Sequence, residues 1–199
     1  MKQVRLSEDE RKRSIVEAAA QVAQEQGLDK MTARAVARTV GISHGLILHH
    51  FGSMDDVQSA LLDWLLVRVL EPQTAELDDV PPEKRLLAFL ERQLAWLDHE
   101  PGLMEVVFDY WSRGTRDPDV RQRISRRMQS FREAVEPIAA DLVATNPARF
   151  RQTSPRALAV TTGDLVLGYA IQRQIHPDAG DRDSVLAAIR SLLETGDAT

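Results

Sequence analysis

The chain contains no cysteine, only 5% aromatic residues and no long hydrophobic run. Without cysteine, disulfides and thiolate metal sites are excluded, and a cytoplasmic location is expected. No stretch reaches the ~18 consecutive apolar residues that a membrane-spanning helix requires. The N-terminal segment lacks the apolar core of a secretory signal, so export is not expected.

The remaining composition is that of a globular protein with an uneven charge distribution. Its 199 residues are 43% hydrophobic and 28% charged, which suits one large domain or two modest ones. Residues 1–52 carry eight Lys and Arg against six Asp and Glu, a net charge of +2, whereas the whole chain carries −5. A basic N-terminal part on an acidic protein fits DNA contact at one end, although many such asymmetries are only solvated surface.

Hydrophobic residues recur with the period of helices, and no convincing run alternates with the period of strands. The first predicted helix ends at Gly27, and its apolar stripe is Ile15, Ala19, Val22 and Ala23. Further helices are predicted after Thr32, after Ser43 and after Ser53, where Asp56 completes a pattern like a capping box. About nine helices are predicted in all, so the fold class is all-α.

The later helices are separated by proline-containing connections. Residues 78–82 join the front of the chain to the rest, and Pro137 is expected to interrupt and kink a long helix. The helix at 156–175 has apolar residues on opposing faces, so both faces should be buried. Its first face comprises Leu158, Leu165, Tyr169 and Gln172, and its second Val160, Leu167 and Ile171. In the last helix, the residues predicted to lie inside are Val185, Ile189 and Leu192.

Residues 32–51 have the features of a helix-turn-helix unit. Two short helices meet at Gly41, where a left-handed backbone is predicted. Their predicted inner residues are Ala33, Val36, Ala37, Val40, Ile42, Ile47 and Phe51. The second helix can enter a major groove ~12 Å wide, with the side that carries no inner residues facing the DNA.

Residues 11–57 resemble the N-terminal domain of the TetR/AcrR family of transcriptional regulators. The resemblance covers about a third of the chain and lies in one register. The matching positions are Ile15, Ala18, Ala19, Gly27, Thr32, Val36, Ala37, Gly41, Ile42, Ser43, Gly45, Ile47, His50, Phe51 and Ser53. It implies a three-helix DNA-binding domain at 1–53, a connecting helix at about 54–70, and a helical ligand-binding and dimerisation domain at 71–199.

The resemblance also implies which residues contact double-stranded DNA. Thr32 and Arg34 are expected at phosphates, and His50 at a third phosphate. The residues expected in the groove are Ser43, His44, Gly45, Leu46, Leu48 and His49. A basic arm of Arg5, Arg11, Lys12 and Arg13 is equally well interpreted as a solvated helix start.

Three positions depart from the family pattern. Leu48 stands where the family usually has Tyr, Leu46 where Thr is common, and Met54 where Lys is common. Fewer polar contacts predict weaker or redirected binding, although the two leucines can contact thymine methyl groups. The alternative is a helical small-molecule-binding or partner-binding protein with weakened DNA recognition.

The resemblance implies a repressor that a small-molecule effector releases from a palindromic operator. The effector-lining candidates are Trp96, Phe108, Tyr110, Trp111, Phe131 and Gln172, for each of which plain core packing is the competing interpretation. A homodimer is expected through the helices at about 156–176 and 183–195, with burial within one chain as the alternative.

An enzyme is the remaining class to consider. No phosphate-binding loop follows a strand, and no Ser lies in a nucleophile-elbow motif. His49 and His50 are adjacent on a predicted helix and point ~100° apart, so they are poorly placed to chelate one ion. We therefore predict no enzymatic activity, no metal site and no cofactor.

Overall fold

The computed structural model describes residues 7–176 and 181–194 of the chain. In these ranges it contains nine α-helices, one 3₁₀ turn (Leu28–Lys30) and no strand, which confirms the predicted all-α class. The helices are α1 (Glu8–Gln26), α2 (Ala33–Val40), α3 (His44–Phe51), α4 (Met54–Leu70), α5 (Pro82–His99), α6 (Pro101–Gly114), α7 (Pro118–Thr145), α8 (Pro155–Ile175) and α9 (Arg182–Glu194). Among these helices, none has the length and apolar character needed to cross a membrane.

The helices form two compact units. The first unit comprises the chain up to Val69 together with Gly102–Ile124, and the second comprises Leu70–Pro101 together with the chain from Ser125. The first unit therefore contains the predicted 1–53 segment, nearly all of α4 and most of α6. How DNA binding and effector binding divide between these units stays a prediction.

The first three helices form by the local signals that the sequence carries. At the start of α1, Ser7 and Glu10 form a capping box in which the Ser7 Oγ accepts from the Glu10 N–H at 3.2 Å. The apolar stripe of α1 is buried as predicted and packs against α2 and α3. Gly27 ends α1 with a φ of 85°, a backbone conformation that costs glycine little.

Tyr110 holds α6 against α4 within the first unit. Its side chain is buried, and its hydroxyl donates to the backbone carbonyl of Gln58 at 2.8 Å. Burial raises the pKa of this phenol, so it stays a neutral donor. Arg113 donates to the Gln58 side-chain oxygen at 2.9 Å, and Arg123 pairs with Asp63 at 2.5 Å.

The second unit is built around the apolar side of α5. This helix packs against α8 and α9, and its buried residues are Leu86, Phe89, Leu90, Gln93, Leu94 and Leu97. The Phe89 ring lies 5.8 Å from the ring of Phe131 on α7. A Cβ atom at Gly163 on α8 would lie 3.7 Å from the Phe131 ring, so three helices meet here.

Pro137 lies inside α7, which continues to Thr145, and the kink expected there stays a prediction. Two predictions for the later helices need correction. Gln172 is exposed rather than inward, since the residues that α8 buries are instead Ala159, Thr162, Val166, Tyr169 and Ala170. Leu192 is 73% exposed, although it was predicted to lie inside α9.

Candidate nucleic-acid interface

Side-chain caps fix the starts of α2 and α3. The Thr32 Oγ1 accepts from the Ala35 N–H at 3.2 Å, and the Ser43 Oγ accepts from the Leu46 N–H at 3.3 Å. Between the helices, Gly41 adopts the left-handed conformation with a φ of 74°. A side chain at this position would strain the turn, so the glycine sets the angle at which α3 leaves α2.

The two sides of α3 differ sharply in burial. Ile47 is fully buried and anchors the helix against the first unit's core. The exposed residues on its other side are His44, Gly45, Leu48 and His49, while Leu46 and His50 are half-buried. The structure therefore brings the predicted groove-facing residues together on one accessible surface, which we call the α3 surface.

Two predicted phosphate contacts lie at the start of α2. Thr32 and Arg34 are both exposed. The Thr32 oxygen accepts the capping bond, which leaves the hydroxyl proton available for a phosphate oxygen. Arg34 follows two residues later with a guanidinium suited to the same kind of partner.

Gly45 lies on α3 without a close neighbour in the part of the chain that the structure describes. A Cβ atom built there would meet none of those residues within 4 Å, and the residue is helical. Packing therefore gives no reason for glycine at this position of α3. Close approach of an external molecule to the backbone would give one.

An acidic and a basic residue at the start of α1 lie near the α3 histidines. Glu8 pairs with Lys12 at 3.0 Å, and the pKa of Glu8 is lowered first by that hydrogen bond and charge, then by His50 and His49. The His49 and His50 rings are 5.4 Å apart. Sequence reasoning missed this grouping because it depends on how α1 packs against α3.

The predicted basic arm is only partly within the described residues. Arg5 lies outside them. Arg13 is exposed, Arg11 is half-buried, and Lys12 is engaged with Glu8. Arg13 is thus the arm residue whose exposure best suits contact with a phosphate.

The six effector-lining candidates are divided between the two units. In the first, Tyr110 is buried, and the Phe108 and Trp111 rings stack with centroids 6.1 Å apart. In the second, Phe131 contacts Phe89 and Trp96 is half-buried. Gln172 lines a groove of about 230 Å³ whose other lining residues are Leu165, Gly168, Tyr169, Arg173, His176 and Val185.

Asp98 fastens α8 and α9 to α5. Its carboxylate accepts from the Tyr169 hydroxyl at 2.8 Å and pairs with Arg173 at 3.4 Å and Arg182 at 3.5 Å. Burial and this hydrogen bond raise the pKa of Tyr169 to about 12. The last two helices are therefore held in a fixed arrangement within the second unit.

Four large apolar side chains of these two helices are exposed. They are Val160, Ile171 and Ile175 on α8 and Leu192 on α9. Ile175 is 68% exposed and Leu192 is 73% exposed. We call these four residues the α8–α9 apolar surface.

Within the described ranges, no three metal-ligating side chains come together. The candidate site is the α3 surface together with the predicted phosphate contacts Thr32 and Arg34, and it exposes imidazole and apolar side chains.

Two family models match the chain. One, described as bacterial regulatory proteins of the tetR family, matches residues 15–61. The other, described as the C-terminal part of BetI-type transcriptional repressors, matches residues 82–197. The chain is also 27% identical over 124 residues to the HTH-type transcriptional regulator BetI of Rhizobium meliloti (strain 1021), a match that spans 60% of this chain and 61% of that protein.

Solved structures share the fold at low sequence identity. A TetR transcription regulator from Haloarcula marismortui ATCC 43049 superposes with a TM-score of 0.75 at 17% identity, covering 93% of this chain and 95% of the other. A protein from Saccharomonospora viridis, solved in complex with choline, has a TM-score of 0.71 at 22% identity over 93% of this chain and 94% of its own.

Proposed function

Since the chain belongs to the TetR family of bacterial regulatory proteins, which are DNA-binding transcriptional regulators rather than enzymes, we propose that it is a homodimeric repressor. In this proposal the dimer occupies a palindromic operator until a small-molecule effector binds to the protein and releases it. The observation that carries it is the α3 surface, where one side of an eight-residue helix is buried and the other exposes the predicted contacts. A regulator of this kind acts on chromosomal DNA, so we propose the cytoplasm as its location.

The exposed side of α3 supports a proposal for how the protein recognises a DNA sequence. An exposed helix fits the major groove, with residues near its N-terminus nearest the base edges. Ser43 and His44 stand at that end and can donate to base acceptors or phosphates. Leu48 offers an apolar contact of the kind that suits a thymine methyl group.

The α8–α9 apolar surface supports the proposed dimer. Large exposed apolar side chains on these two helices favour burial against a partner. A second copy offers the same surface, and a two-fold pairing would present two α3 helices to two half-sites.

The effector is proposed to bind in the second unit, within the region that matches the BetI-type C-terminal model. A small quaternary ammonium compound is the first candidate, because a protein of the same fold was solved with choline. Titrating choline into a complex of the protein with its own upstream DNA tests this directly. Release at saturating choline supports the proposal, and retention of the complex removes this effector class.

Replacing Arg34 with alanine should weaken binding to every operator sequence by a similar factor. A phosphate contact carries no base information, and its loss should reduce the slope of log K against log salt by about 1. Binding isotherms at several salt concentrations measure that slope. The matched control is Arg126→Ala, which removes an exposed arginine of the second unit. Equal slopes for wild type and Arg34→Ala would remove the phosphate assignment.

Replacing Leu48 with tyrosine should strengthen operator binding by about tenfold, equivalent to ~1.4 kcal/mol. Leu48 is 39% exposed, so the larger ring has room and its hydroxyl can donate to a phosphate. Leu48→Phe is the control, because it adds the ring without the hydroxyl. Weaker binding by both variants would show instead that Leu48 itself contacts a base.

A further inference from the structure

Gln93 is a fully buried polar residue in the middle of α5. Its side-chain oxygen accepts from the backbone N–H of Gln73 at 3.1 Å. A backbone N–H can only donate, so this contact fixes which end of the amide is the oxygen. The NH₂ group must therefore point away from Gln73.

The Gln93 Nε2 has no hydrogen-bond partner among the residues that the structure describes. Thr162, the other buried polar residue reported in that part of the chain, is satisfied by donating to the Leu158 carbonyl at 2.8 Å. An unpaired buried donor destabilises a fold and is rare in native proteins. The bond to Gln73 explains the side-chain oxygen of Gln93, but the NH₂ group has no such structural role in the described residues.

Gln93 lies among the buried, mostly apolar residues of α5. Phe89 lies one turn earlier on the same side of α5 and contacts Phe131. None of the buried residues reported for the described chain is charged. A hydroxyl or carbonyl oxygen can accept from this donor without bringing a negative charge into the interior, so an uncharged oxygen is the acceptor that fits.

The contact with Gln73 also holds Gln93 in place. Residues 71–81 form the connection before α5, and Arg92 donates to the Ala75 carbonyl while Arg85 donates to the Val80 carbonyl at 2.9 Å. These bonds keep the Gln73 N–H against α5. The Gln93 amide is therefore oriented before any ligand arrives, which reduces the entropy lost on binding.

We propose that Gln93 is a specificity-determining residue of the effector site, whose Nε2 donates to an uncharged oxygen, such as a hydroxyl, of the ligand. The inference rests on the proposed ligand response and adds which atom of the effector the protein recognises. A ligand that lacks this oxygen leaves the donor unpaired and binds more weakly.

Choline and propyltrimethylammonium are a matched pair of probes, because a methyl group in the second replaces the hydroxyl of the first. Calorimetric titration of the full chain should show choline binding about tenfold more tightly. In Gln93→Met the two probes should bind equally. Gln73→Ala keeps the backbone N–H and should retain the preference. Thermal unfolding establishes that each variant is folded.

The outcomes separate this inference from the function on which it rests. Equal binding of the two probes to the wild-type protein overturns the role of Gln93, whether or not the variant folds. A choline preference that persists in Gln93→Met overturns it too, while leaving an effector site in place. Failure of both probes to bind overturns the inference together with the quaternary ammonium effector class, and leaves DNA binding by the α3 surface untouched.

Discussion

Replacing Ile171 with glutamate is expected to convert the protein into a monomer and to weaken operator binding by at least about 100-fold. Ile171 belongs to the α8–α9 apolar surface and is 38% exposed in the single chain. In the proposed dimer that side chain is buried against the partner, and a carboxylate there would lose its hydration without gaining a counter-charge.

The large effect on DNA binding follows because the dimer links two DNA-binding domains. When one DNA-binding domain is bound, the other is held near its half-site at a high effective concentration. The affinity of the dimer for DNA is therefore ~10² to 10⁴ times that of a single domain. A monomer keeps each α3 surface intact and loses only this factor. The expected signature is weak binding with unchanged contacts rather than the absence of binding.

Light scattering and DNA titration measure the two parts of this prediction. The wild type should have twice the 22.3 kDa mass of one chain, and Ile171→Glu should have the mass of one. Val67→Glu is the matched control, since Val67 is 55% exposed on α4 and lies outside the apolar surface. A variant that stays dimeric, or a wild type that is monomeric, contradicts the proposed interface.

A side chain at Gly45 is the second change with a large expected effect. Gly45→Leu should weaken operator binding by about 100-fold while leaving the thermal midpoint unchanged or slightly higher. No atom of the described residues lies within 4 Å of the added Cβ, and leucine favours helices more than glycine does. The loss would come from holding the α3 backbone away from the groove.

Gly45→Ala provides the graded comparison, because its single methyl group should cost less than the leucine side chain. Fluorescence anisotropy with a labelled operator gives the affinities, and a thermal melt gives the stability. Tight binding by Gly45→Leu would mean that the backbone of α3 does not approach DNA at this position. A lowered midpoint would instead assign the glycine to folding.

The first unit could be predicted in detail because its signals are local. Thr32 and Ser43 each cap the helix that immediately follows, and Gly41 lies between them in the left-handed conformation that the turn requires. The buried position of Ile47 follows from its spacing on α3. Resemblance to a known domain then added the expected DNA contacts, which periodicity alone does not identify.

The second unit could be predicted less well because its helices are apolar on more than one side. On α8, periodicity did not distinguish the side that packs on α5 from the outer side, and Gln172 was assigned to the wrong one. Leu192 was misplaced for the same reason. Gln93 depends on a partner 20 residues earlier in the chain, a contact that no local pattern reveals.

The most direct test of the account is a footprint of the purified protein on the upstream region of its own gene. We predict protection of two half-sites on one face of the duplex, with centres separated by whole helical turns of about 34–36 Å. Absence of protection anywhere in that region, even at low salt, would contradict DNA recognition by the α3 surface. It would favour the alternative of a helical binding protein with weakened DNA recognition.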